Sequence, residues 1–168
     1  ATCEKELFIF AEGGFRPGEV LGEMDAALQR WPSPASRPPL FGVPVGIKDV
    51  FRTNGYAIRC GSLLPSSLFA GDEAPLVTSL RENGAIVMGI TASTEFTHAE
   101  PAATRNPCNR RHTPGGSSSG SAAGVRAGYF PLALGTQTMG SVIRPAAFCG
   151  VVGCKPSQGL LSGEGIIH

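Results

Sequence analysis

The chain has 168 residues, 42% of them hydrophobic and 16% charged, with a formal net charge of +1. That length suits one domain burying roughly two-thirds of the surface its unfolded form exposes. Near-neutrality with ample apolar content excludes a disordered tail and an electrostatically driven nucleic-acid binder. No apolar run approaches membrane-spanning length, so the expected partner is a small molecule, and no nucleic acid or membrane.

In chain order, Glu19 to Trp31 spaces Val20, Met24, Ala27, Leu28 and Trp31 at helical intervals. Residues 32–39, PSPASRPP, form a proline-rich connector, because proline removes a donor and biases its predecessor away from the helical region. VPVGIKDVF, Val43 to Phe51, is short, apolar and β-branched, and reads as a buried strand with Lys48 inside it. Ala74 to Asn83 reads as a helix opened at Pro75 and stopped by Gly84, and Ala85 to Thr91 as a second strand. A polar loop over residues 104–121 leads into the short helix SAAGVRAG. Phe130 to Thr136 reads as a third strand, the segment after Ser141 as two helical turns, and Val151 to Lys155 as a fourth strand. Helix followed by apolar strand points to α/β layering.

Five cysteines, Cys3, Cys60, Cys108, Cys149 and Cys154, include no C-x-x-C pair and no histidine at zinc-ligand spacing. They read as free thiols in a reducing compartment, and no metal site is expected.

The scarce lysines draw attention to Lys48. Within an apolar run, desolvation disfavours its charge and lowers its pKa towards that of a useful base; the alternative is a strand-end lysine paired with Asp49. GGSSSGSAAG, residues 115–124, has the composition of a flexible linker, yet it leads into a helix whose N–H groups can hold a reacting oxygen. It contains G-x-S-x-G, which would make Ser118 a nucleophile-elbow serine. The acid and histidine such a triad needs downstream are reduced to Glu164 and the terminal His168. His98 and His112 lie upstream and read as polar loop residues. A serine nucleophile here therefore needs another base, and lysine is available: Lys48, a serine of the 117–119 cluster and Ser141 are the candidates.

From about Phe41 to Gly159 the blocks GVPVGIKDV, LRENGAIVMGIT, NPCNRRHTPGGSSSGSAAGVRAG and LALGTQTMGSVIRPAAFCGVVGCKPS resemble the amidase-signature family, in its order and at its spacing. The resemblance implies an α/β/α fold on a mixed sheet. It covers the N-terminal part of the family domain, so residues 1–168 are expected to form one domain core, incomplete at the C-terminus, with His168 as a truncation point. It implies the catalytic set Lys48, Ser117 on a cis peptide, and the nucleophile Ser141. It also implies an oxyanion hole from the backbone N–H groups of Thr138, Met139, Gly140 and Ser141, with no cofactor.

Gln137 and the spacing of Arg144 resemble a malonamidase-like branch acting on small carboxylated amides. Arg144 is then either a fork for a substrate carboxylate or half of a structural ion pair. Met139 stands where the family usually has glycine, and is expected to distort the oxyanion hole or narrow the pocket. The expected function is that of a cytoplasmic amidase acting on a small-molecule amide, as a homodimer or with partner subunits. The alternatives are a non-catalytic amidase-like domain and the amidase subunit of an amidotransferase.

Overall fold

A computed structural model describes residues 4–167; Cys3 and His168 lie outside the described residues. Three parallel strands make the sheet: β1 (Pro44–Lys48), β2 (Ile86–Thr91) and β3 (Leu132–Leu134), in the order β2-β1-β3. Val45 pairs with Val87 and with Leu132, and a bulge at Met88 brings Gly46 opposite Gly89. Parallel strands require crossovers, and the helices supply them.

Helix α1 (Glu4–Leu7) precedes α2 (Pro17–Arg30), which starts on a proline at its first turn. Val20 and Ala27 of α2 pack with Ile86, whereas Met24 and Leu28 stay substantially exposed. Trp31, just past the helix, meets Phe41 edge to face. The proline-rich connector contains one 3-10 turn, Pro34–Ser36. Helix α3 (Pro75–Glu82) sends Val77 into a core with Val45, Ile47 and Val87. Helices α4 (Ser119–Arg126) and α5 (Ile143–Cys149) lie together beyond the other face.

Alternation along β1 explains the layering. Val45 and Ile47 face α3, so Gly46 faces α4. There the ring of Phe130 is wedged so closely that a Cβ on Gly46 or on Gly124 of α4 would lie 2.5 or 2.2 Å from it. Only glycine fits at both positions, and α4 is thereby drawn onto the sheet. The same alternation points Lys48 towards α4.

The outer edge of β2 is covered. Ala11 N–H donates to Ile90 O, Ile90 N–H to Gly14 O and Ala92 N–H to Ile9 O, at 2.8–2.9 Å, and Glu23 Oε2 accepts Val87 N–H at 2.8 Å. On the other side β3 has no further strand partner among the described residues. It borders an apolar cavity of about 600 Å³ between Val125, Leu132, Val152 and Leu161.

The expected strand Val151–Lys155 does not form. Gly150 takes the left-handed conformation that ends α5, and Val151 N–H donates back to Ala146 O. Val152 is 96% exposed, and an apolar run with no neighbouring strand to share its hydrogen bonds stays irregular. Cys60, Cys108, Cys149 and Cys154 are free thiols, as expected.

Candidate active site

Lys48 ends β1 with no exposed surface. Its Nζ lies 2.7 Å from Ser117 Oγ and 2.8 Å from Thr136 Oγ1, just past the end of β3. Burial lowers the amine from an ordinary pKa of 10.5 to about 7, against a weaker opposing pull from the Cys60 thiol. The expected alternative, pairing with Asp49, does not occur. Asp49 faces the opposite way, and its carboxylate accepts the N–H groups of Arg59 and Gly61. Among the described residues Lys48 thus has hydroxyl partners and no carboxylate to hold its proton.

Ser117 is 1% exposed and follows a cis peptide bond from Gly116. The carbonyls on both sides of that serine's N–H are held. Thr94 N–H donates to Ser117 O at 3.1 Å, and Arg144 grips Gly116 O through Nε and Nη2 at 3.1 and 2.7 Å. Arg144 therefore meets a backbone carbonyl, where the sequence pointed to a substrate carboxylate or an ion pair. It forms no ion pair among the described residues.

Ser141 is half-buried two residues before α5, and its carbonyl accepts Ser118 N–H at 3.1 Å. Main chain, rather than a hydroxyl contact, links the nucleophile candidate to the Ser117 segment; the Ser141 hydroxyl donates to no group among the described residues. Gln137 Oε1 accepts the N–H groups of Val142 and Ile143, each at 2.9 Å, and so caps α5. The N–H groups of Thr138, Met139, Gly140 and Ser141 make no hydrogen bond among the described residues. Four consecutive open donors next to a serine can receive a developing oxyanion. Met139 points out to solvent, 94% exposed, and is not among the residues at positive φ.

The remaining candidates separate cleanly. Ser118 is buried at the start of α4, with its Oγ near Thr136 O, and is no exposed elbow. His98 and His112 are exposed loop residues. Thr136 was not singled out in the sequence. The only signal for it is indirect: it follows the apolar run of β3, at the end of a parallel strand, where ligand-binding groups of open α/β sheets gather.

A parallel α/β sheet thus holds a buried lysine of depressed pKa against a serine, near four open N–H donors. The family model described as Amidase matches residues 20–168, and the chain belongs to that family. It is 44% identical over 135 residues to a glutamyl-tRNA(Gln) amidotransferase subunit from Exiguobacterium sibiricum, covering 77% of this chain and 28% of that protein. The same subunit from Treponema pallidum (strain Nichols) is 46% identical over 137 residues, covering 77% and 27%.

Among solved structures, native peptide amidase from Stenotrophomonas maltophilia superposes with a TM-score of 0.84 at 38% identity, covering 92% of this chain and 34% of that one. The glutamyl-tRNA(Gln) amidotransferase subunit from Thermotoga maritima gives 0.73 at 39%, covering 78% and 30%. The chain spans less than a third of the curated relatives named above.

Proposed function

We propose that this chain carries the catalytic core of an amide hydrolase whose nucleophile is Ser141. The observation that carries the reading is the buried 2.7 Å contact between Lys48 Nζ and Ser117 Oγ, with the amine's pKa brought near 7. Neutral Lys48 accepts the Ser117 proton as Ser117 takes that of Ser141, a relay suited to a hydroxyl because it donates and accepts at once. Ser141 Oγ then bonds to the amide carbon, and the carbonyl oxygen becomes an oxyanion facing the N–H groups of residues 138–141. As the tetrahedral species collapses, the proton returns through Ser117 to the leaving nitrogen and the C–N bond breaks. Water repeats the attack and releases the acid from the ester of Ser141. The substrate is a small-molecule amide.

A fluorophosphonate probe together with ammonia release from propionamide tests this in the full-length protein. Labelling at Ser141, with both signals lost in Ser141→Ala, is the expected result; absence of labelling in the parent protein points to a non-catalytic domain.

A second reading follows from the relatives named as amidotransferase subunits: the released ammonia passes to a reaction on a partner protein. Activity that appears only with co-purified partners would select it over a free-standing amidase.

A further inference from the structure

Asp49 is 1% exposed and takes no part in the relay above. Its main chain is fixed, with Asp49 N–H donating to Thr91 O at 3.0 Å at the end of β2. Its carboxylate is spread across one turn: Oδ1 accepts Arg59 N–H and Oδ2 accepts Gly61 N–H, both at 2.8 Å. Between them Cys60 is held left-handed, at φ 56°, a conformation a side chain disfavours unless its surroundings impose it.

The turn is packed tightly on the segment that supports the catalytic serine. A Cβ on Gly61 would lie 2.7 Å from Ser93 O. Cys60 O accepts Phe96 N–H at 2.8 Å, and two residues earlier Thr94 N–H donates to Ser117 O at 3.1 Å. Phe96 and Thr97 are themselves left-handed. The strained positions therefore gather on one path, from the Asp49 carboxylate through the Arg59–Gly61 turn and residues 93–97 to the carbonyl of Ser117. Lys48, next to Asp49 in the chain, reaches the same serine from the other end.

We propose that Asp49 is a positioning residue for the reaction: its carboxylate clamps the Arg59–Gly61 turn under residues 93–97, so that Ser117 is held where the Lys48 amine can reach its hydroxyl. The inference rests on the Lys48–Ser117–Ser141 reading. It names a second task for the first block of the sequence, where the lysine carries the proton and the aspartate holds the frame. Strand alternation lets adjacent residues do both without neutralising each other.

Asp49→Asn keeps the size but replaces one accepting oxygen with a donor, which leaves one turn N–H facing an NH2 group. In the full-length protein, with propionamide as probe, kcat is expected to fall about ten- to a hundredfold, the effect of a reacting group displaced by about an ångström. KM should stay within about twofold, since no substrate contact is removed. Asp49→Glu, which keeps both oxygens, should fold and give a smaller loss of kcat with KM again unchanged, and it is the variant to read if Asp49→Asn does not fold.

Parental kcat in either folded variant overturns the proposal, as does a loss that falls on KM. Fluorophosphonate labelling of the parent separates the two ideas. An unlabelled parent removes the relay reading itself, whereas a labelled, active parent with an equally active Asp49→Asn removes Asp49 alone.

Discussion

The two halves of the site are built in opposite ways. The lysine half, Lys48, Ser117 and Thr136, is held by side-chain hydrogen bonds of 2.7–2.8 Å around an amine with no exposed surface. The half that carries the proposed nucleophile, residues 137–141, is exposed or half-buried, is anchored at its ends by Gln137 and by Ser141 O, and leaves four N–H groups open among the described residues. The difference separates two requirements. Lowering a lysine's pKa requires exclusion of water, whereas receiving a substrate oxygen requires donors not already engaged.

The sharpest test removes the buried half. Lys48→Ala should lower turnover near neutral pH by about a hundred- to ten-thousandfold, the range for loss of a positioned base. Lys48→Arg should fail as completely, because a guanidinium stays protonated. In the parent, kcat/KM should rise with pH as the amine deprotonates through about 7 and then level off. Stability carries the same signature. The unfolded chain holds this proton up to the ordinary value of 10.5 and the folded chain releases it near 7, so the unfolded state binds more protons between those values and stability rises with pH across that window. Lys48→Met should flatten the rise in a denaturant titration series while abolishing activity. A pH-independent rate in the parent would exclude lysine as the base.

Ser117→Ala comes next, because it removes the bridging hydroxyl but leaves the base in place. Turnover should drop by about a hundredfold, and Ser141 should still label slowly with fluorophosphonate. If labelling is unchanged, Ser117 relays nothing.

What was legible in the sequence follows the same division. Lys48 stood out because a charge inside an apolar strand is costly wherever the strand goes, and the strands over 44–48 and 86–91 and the helices over 17–30 and 75–82 follow from period and punctuation. The roles of Asp49, Thr136 and Arg144 were not legible. Asp49 acts through main chain 10–12 residues further on, Thr136 lies 88 residues from Lys48, and Arg144 grips a carbonyl 28 residues back. No local pattern encodes such meetings, which the crossovers alone create. The mistaken strand at Val151–Lys155 has the converse cause: its residues suit a strand, but strand formation needs a partner that composition cannot report.

Two predictions probe how the open half is held. Gln137→Ala removes the acceptor of two N–H groups at the start of α5, which should cost about 1 kcal/mol of stability. The loop would be released and kcat lowered about tenfold; Gln137→Glu, which keeps the acceptor, should restore it. Arg144→Ala frees the Gly116 carbonyl. Because that carbonyl already occupies Nε and Nη2, the expected loss is about severalfold and alike for propionamide and malonamate. A rise in KM confined to malonamate would instead make Arg144 a carboxylate fork.

The smallest effect belongs to Met139, where the family resemblance leads one to expect glycine. A glycine there would matter if the backbone needed positive φ or if the side chain blocked the oxyanion position. Met139 is not at positive φ, and the residue is 94% exposed, which argues against both. Met139→Gly should therefore leave kcat within about threefold of the parent, far from the hundred- to thousandfold that loss of one oxyanion donor costs. Stability should fall by less than about 1 kcal/mol, through the added freedom of the unfolded chain. Steady-state kinetics on propionamide decide the point. A large gain in kcat would mean that the methionine folds over the open N–H groups during turnover, and the exposed half of the site would then be gated by its own side chain.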